Sequence, residues 1–354
     1  MNHVAVMPKD KRPRGIFTHW WVTQKGKEKI SKSKGGVEHI NEAATTYGVD
    51  AMRLYYAHVG SPFVDIEWDS EAVIKYKNRI ANIYKMISQI SKFKDKKDEN
   101  LDNWLKSTIQ RTIQKTTDAF ENFDLRIATN EIFFECQKNI QWYLKRGGSN
   151  TDLLKNIINT WIKLMTPVAP HLSEEIWSRN KSTFVSNERY PNFNKKDFSE
   201  KEEVGEYLLS GVSDDIAEIL KVTKIKPKKI CIYTSPAWKY SLFRKAIEIS
   251  SKGKLNTGLI MKEVMSDPKI KLIAKEVSQF VSKLNGEVMR LNEIDKKRYL
   301  VDINEQEYLN KSIEYLKSLF TCEINIFSAD DKELYDPSNK KRFAIPLRPA
   351  IFIE

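Results

Sequence analysis

Between residues 65 and 190 apolar side chains return every three or four positions, and that period limits what the chain can fold into more than any other feature. Tyr76, Ile80, Ile83, Tyr84, Ile87 and Ile90 make a first stripe, with Asp69 placed to cap its helix. Leu101, Trp104, Leu105, Ile109 and Ile113 make a second; Leu125, Ala128, Ile132, Cys136, Ile140 and Tyr143 a third; Leu154, Ile157, Ile158, Trp161, Ile162 and Met165 a fourth. Four amphipathic helices with short connections predict an antiparallel bundle. Pro167 and Pro170 break the fourth helix, and Ser173-Glu174-Glu175 starts a short one. Aromatic residues at this spacing read as core rather than as base-stacking groups, and His171 as a packing or capping residue.

After the bundle, the polar stretch from Ser178 to about Ser199, with Pro191 and several asparagines, reads as a linker. Helices then alternate with strands: Val204–Val222, Ala237–Ser250, Lys269–Leu284 and Glu305–Phe320 as helices, Lys229–Tyr233 and Glu323–Phe327 as strands. A small α/β or α+β domain fits this order. Its basic run, Lys221, Lys224, Lys226, Lys228 and Lys229, suits phosphate tracking and equally an ordinary turn into a strand after Pro227.

Ahead of the bundle, Ile16-Phe17-Thr18-His19-Trp20-Trp21-Val22 is a β-rich run ending at the turn Gln24-Lys25-Gly26. Then comes Lys29-Ile30-Ser31-Lys32-Ser33-Lys34-Gly35-Gly36. Lysines this close repel one another unless an anion joins them, and the Gly-x-x-x-x-Gly-Lys spacing of a P-loop is absent, so the side chains would have to carry the charge. Taken alone, the segment is a triphosphate-gripping loop or a solvated surface turn. Ile40, Ala43, Ala44 and Tyr47 follow at helical spacing, Gly48 is a natural stop, and Asp50 is placed to cap a second helix through Ala51, Leu54, Tyr55 and His58. This is too little chain for an independent parallel sheet, and the exposed strand edge it implies must be covered.

The run EKISKSKGGVEHINEAATTYGVDAMRLYYA resembles the signature loop of class I aminoacyl-tRNA synthetases and the helices that follow it in the leucine, isoleucine, valine and methionine group. Asn2–Pro8 with Arg12-Pro13-Arg14-Gly15, the run TWIKLMTPVAPHLSEEIW, the run VTKIKPKKICIYTSPAWK and the closing PLRPAIFIE resemble the archaeal and eukaryotic leucyl-tRNA synthetase type, so the likeness covers essentially the whole chain. It implies a mainly α protein in three parts: 1–64, the end of a Rossmann-type catalytic domain with the lysine loop; 65–190, an antiparallel anticodon-binding bundle; and 191–354, a small α/β domain that holds tRNA. The catalytic start of such enzymes, with a His-Ile-Gly-His type motif and an editing domain, is expected either in a separate N-terminal polypeptide or in a part of the protein cut away from this sequence.

What the likeness implies chemically is leucine activation by ATP and transfer to tRNA(Leu). Lys32 and Lys29 match the signature lysines and would act on the ATP phosphates, with Ser31 and Ser33 as hydrogen-bonding supports and Mg2+ accompanying ATP. Two positions depart from the family: Ile30 replaces the usual methionine, and Gly36 stands where asparagine is common. Neither removes a charge, yet both hint at a relaxed constraint. A non-catalytic tRNA-binding paralogue is the alternative; a fragment of an isoleucyl-, valyl- or methionyl-tRNA synthetase is a weaker one, opposed by the lack of C-terminal zinc cysteines.

Composition agrees with these readings without suggesting them. The 354 residues suffice for two or three domains, and a net charge of +12 favours an anionic partner, although lysine-rich solvated helix faces explain the same excess. Cys136, Cys231 and Cys322 lie far apart, which points to packed thiols rather than a zinc knuckle or disulfides, and no bound metal is expected. No apolar run approaches a membrane span and no secretory leader is evident, so a cytoplasmic protein is expected.

Overall fold

A computed structural model of the chain describes residues 7–13, 15, 18, 21–23, 39–60, 63, 65–90, 95–252, 257–265, 271, 273–331 and 334–354. They divide into two units, Met1–Phe198 and Ser199–Glu354.

In the first unit, strand β1 (Val22–Thr23) pairs in parallel with β2 (Ile66–Glu67), register Val22 to Ile66 and Thr23 to Glu67. Parallel neighbours need a long crossover. Here the crossover carries the lysine segment, then α1 (Ile40–Tyr47) and α2 (Val49–Val59). Of the expected strand over residues 16–22, the described strand takes only Val22 and continues to Thr23. Its pairing with β2 covers one edge.

The bundle follows as α3 (Ser70–Ile90), α4 (Glu99–Glu121), α5 (Leu125–Asn130) continuing through a π-helical turn Glu131–Glu135 into α6 (Cys136–Lys145), and α7 (Thr151–Met165). Each start carries a side-chain cap. Asp69 accepts from Ala72 N at 3.1 Å, Asp98 from Leu101 N at 3.2 Å, Asp124 from Ile127 N at 3.0 Å and Asn150 from Leu153 N at 3.1 Å. The stripes close one core around Ile83, Leu105, Ile132, Phe133, Tyr143 and Trp161, all buried, each contributing on the order of 2 kcal/mol. The indole of Trp161 donates to Ile132 O at 2.7 Å, inside the π-helical turn. Leu125, expected in the third stripe, is instead 42% exposed: it begins α5 beside the left-handed Phe123 (φ 58°), on the outer side of the corner. Helix α8 (Pro170–Trp177) completes this part.

The polar stretch after Ser178 is irregular, but it is not a free linker. Val185 is buried in the bundle core, Glu174 accepts from Val185 N and Ser186 N at 2.9 and 3.1 Å, Tyr190 donates to Thr116 Oγ1 at 2.9 Å, and Gln110 accepts from Asn194 N at 2.7 Å. Widely spaced anchors in a polar sequence leave no period to read.

The second unit holds a three-stranded sheet, ordered β4-β3-β5. Central β3 (Lys229–Thr234) runs parallel to β4 (Glu323–Ser328) and antiparallel to β5 (Ala350–Ile353). Ile230, Cys231, Ile232 and Tyr233 are fully buried, as a strand covered on both faces requires. Around it lie α9 (Glu200–Thr223), α10 (Ala237–Lys252), α11 (Thr257–Val264), α12 (Ala274–Arg290), α13 (Glu293–Leu300), α14 (Glu305–Lys311) and α15 (Ile313–Phe320). The single helix expected over Glu305–Phe320 is therefore two, divided at Ser312 (φ −101°, ψ 8°). Gly205 permits the approach of α14, because a Cβ there would lie 2.1 Å from the Tyr308 ring.

Candidate functional site

Lys29, Ser31, Lys32 and Ser33 lie outside the described residues, as do Ile30 and Gly36. The geometry on the page is that of the helix pair downstream of them. Gly48 ends α1 and begins α2 at φ 88° and ψ 138°, a conformation costly for any residue with a Cβ, so this tight joint needs glycine. Tyr47, Tyr55 and Tyr56 then gather on Trp68, with ring centroids 5.8 to 5.9 Å apart. The Tyr55 hydroxyl donates to Glu67 O and accepts from Asp69 N at 3.2 Å, which fastens α2 to the strand end and to the first bundle helix.

Two charged residues of α2 reach the corner where α7 ends and α8 begins. Asp50 Oδ2 accepts from Leu172 N at 2.7 Å, and Oδ1 from His171 N at 3.4 Å and His171 Nδ1 at 2.8 Å. Arg53 Nε donates to Val168 O at 2.9 Å and its terminal nitrogen to Pro167 O at 2.9 Å. A carboxylate thus sits at a helix N-terminus and a guanidinium on the carbonyls just past a helix C-terminus, each on the favourable end of the dipole. The expectation that Asp50 caps its own helix is corrected: Gly48 is that N-cap and offers no side chain, and Asp50 caps α8 instead. The packing or capping expected of His171 is corrected as well: its exposed ring hydrogen-bonds Asp50, the residue that caps α8.

Further along α2, Leu54 enters the bundle core, and His58 hydrogen-bonds Thr129 Oγ1 at 3.1 Å and stacks on Phe134 at 4.7 Å. Burial, with Arg126 and Arg79 nearby, pushes the His58 pKa down. Every turn of α2 is therefore spent on holding the residues after the lysine segment to the bundle. In the second unit, Lys221, Lys224, Lys226 and Lys228 are exposed, with the apolar Val222 and Ile225 exposed among them, while Lys229 lies 4.2 Å over the Tyr335 ring. Lys224 is the left-handed C-cap of α9, as the turn reading of this run expects.

Residues 5–91 match the family described as tRNA synthetases class I (M), and residues 102–232 the anticodon-binding domain of tRNA ligase. Leucine–tRNA ligases align over 100% of this chain: those of Methanococcoides burtonii at 36% identity, Methanosarcina barkeri at 33% and Methanocaldococcus jannaschii at 34%. Over its whole length the chain is similar to part of archaeal leucyl-tRNA synthetases. It spans 36 to 37% of the length of these relatives. A ternary complex of LeuRS, tRNA and LeuAMS from Agrobacterium radiobacter overlaps 51% of this chain and 24% of its own, at 20% identity and a TM-score of 0.46, a likeness too slight to carry an argument.

With this similarity, the YGVDAMRLYYA segment, which has no phosphate-binding work, acquires a physical role as the seam between loop and bundle. Sequence reading missed Arg53, and the signal for Asp50 was indirect: α8 opens with Ala169 and Pro170, and neither can offer a capping oxygen from its side chain. Among the described residues no three His, Cys, Asp or Glu side chains converge as metal ligands, and no helix is long and apolar enough to cross a membrane.

Proposed function

We propose that this chain is the part of a leucyl-tRNA synthetase that binds tRNA(Leu) and lends its lysine loop to ATP-dependent leucylation, acting in the cytoplasm with a separate N-terminal polypeptide. The observation that carries this reading is alignment with archaeal leucine–tRNA ligases over the whole chain at 31 to 36% identity. In this reading, residues 1–64 close the catalytic domain, 65–190 form the anticodon-binding bundle and 191–354 the C-terminal tRNA-binding domain.

Attack of the leucine carboxylate on the α-phosphorus of ATP places extra negative charge on the departing pyrophosphate. Lys32, supported by Lys29, meets that charge, and Ser31 and Ser33 donate hydrogen bonds to the same oxygens. Such cations hold the transition state more tightly than the ground state, which accelerates the step. Mg2+ enters with ATP as part of the substrate. The exposed lysines at Lys221–Lys228 follow the tRNA backbone. Because α2 is fastened at the corner of α7 and α8, the far end of the loop is referenced to the helices that carry the tRNA.

The test is to mix this chain with the N-terminal synthetase polypeptide of the same organism and follow leucine transfer to tRNA(Leu). Leucylation by the mixture, abolished by Lys32→Ala, is expected. No leucylation, or equal leucylation by the variant, overturns the proposal.

A further inference from the structure

On the first unit, α3 and α6 enclose a recess of about 500 Å³, within the range of small-ligand sites. Arg79 lies in its wall. The guanidinium sits 3.9 Å over the Phe134 ring and donates to Phe133 O at 3.2 Å and Gln137 Oε1 at 2.8 Å. These partners are all neutral, and among the described residues no carboxylate pairs with Arg79, so a half-buried positive charge faces the recess without a counter-charge. Exposed Asn78 and Asn82 add amide donors and acceptors, and exposed Lys75 and Lys138 add two cations. The one carboxylate in the lining, Glu135, is 3.9 Å from Lys138.

Local backbone points the same way. Phe133, Phe134 and Glu135 belong to the π-helical turn Glu131–Glu135, which widens α5–α6 where it faces α3. Such turns cost hydrogen-bond geometry and occur frequently at functional sites. Phe134 is held from the α2 side by the His58 ring, stacked on it at 4.7 Å, so the Arg79 platform is fixed before any ligand arrives.

We infer that this recess takes one nucleotide of an RNA chain, its phosphate on Arg79 with Lys75 and Lys138, and its sugar or base edge on Asn78 and Asn82. The inference rests on the tRNA-binding reading and names a place for contact within it. A fixed, uncompensated guanidinium calls for an anion, neighbouring amides call for a ligand with both donors and acceptors, and a phosphodiester nucleotide supplies both.

The experiment is filter binding of tRNA(Leu) transcript to the full chain across a salt series, with hydroxyl-radical footprinting of the bound RNA. Lys75→Glu with Lys138→Glu should weaken binding about tenfold or more, flatten the salt slope by about one and erase one local protection. Asn82→Ala should weaken the same protection alone, whereas Lys226→Glu should reduce affinity while leaving it intact. Arg79→Met should act like the double variant, and the exposed rim variants keep the test valid if it fails to fold. If the wild-type chain binds no tRNA in a salt-dependent way, the tRNA-binding reading fails. If it binds and the rim variants match it in affinity, slope and footprint, the recess assignment alone is overturned. Displacement of the local protection by AMP at micromolar concentration would also overturn it, in favour of a free-nucleotide site.

Discussion

Asp50 in the first unit and Glu305 in the second are both buried carboxylates that hold pieces of chain far apart in sequence, but their partners differ in exposure. Asp50 takes the amides of Leu172 and His171 at the open end of α8, where the His171 ring on the same carboxylate is exposed. Glu305, 4% exposed, accepts from Ser235 N at 3.0 Å, Leu347 N at 2.6 Å and the Tyr240 hydroxyl. Lys239, which precedes Tyr240 in the chain, is 5% exposed and donates to Arg342 O and Ala344 O at 2.8 and 2.6 Å. Burial pushes the Glu305 carboxyl up and the Lys239 ammonium down to about 8. Asp50 is buried as well, 7% exposed, but the His171 ring among its partners is exposed, so water can replace that partner when the seam opens. Opening the Glu305 anchor would strand buried donors. The first is a joint and the second a fixed tether for the C-terminal segment.

The largest expected effect would come from Glu305→Ala, which leaves three buried donors without an acceptor. Urea unfolding of the second unit should lose on the order of 3–5 kcal/mol. A loss under about 1 kcal/mol would erase the contrast with Asp50.

Next is a pH effect confined to the anchor. Folded Lys239 releases its proton near 8, whereas an unfolded lysine holds it to about 10.4, so between those values the unfolded chain binds more protons and stability rises with pH. The gain should reach on the order of 1 kcal/mol by pH 9, below the range in which tyrosines of the unfolded chain ionise, and Lys239→Met should flatten it. An unchanged slope in that variant would assign the effect elsewhere.

At the seam, Asp50→Ala removes a helix cap and should cost the first unit about 1–2 kcal/mol in the same unfolding measurement, with Asp50→Asn recovering part. Arg53→Lys keeps the charge but loses the two-pronged contact with Val168 O and Pro167 O, and should cost about 0.5–1 kcal/mol. If Arg53→Lys proved as costly as Glu305→Ala, the seam would be no looser than the anchor.

The bundle was legible because its stripes keep a helical period, and because Asp69 stands one residue ahead of the helix it caps. Strand β3 was legible for a related reason: Ile230–Tyr233 is an unbroken apolar run with a β-branched pattern. Strand β5 was not, since Pro346 and Pro349 argue against a strand, and both fall just outside the paired residues. Helix α13 escaped notice because only Tyr299 is buried, leaving no stripe. The π-helical turn shifts the phase by one residue inside a continuous apolar pattern, and the trans cap of Asp50 depends on a partner 121 residues away; neither leaves a local trace. The roles given to Lys29 and Lys32 came from family likeness, because three lysines near two serines describe a surface turn equally well.

Leucine-dependent exchange of pyrophosphate into ATP, measured in the mixture with the N-terminal polypeptide and without tRNA, isolates the step assigned to the lysine loop. Lys32→Ala should lower kcat about a hundredfold or more while tRNA(Leu) affinity stays unchanged. Exchange at the wild-type rate in that variant would contradict the assignment of the loop to ATP.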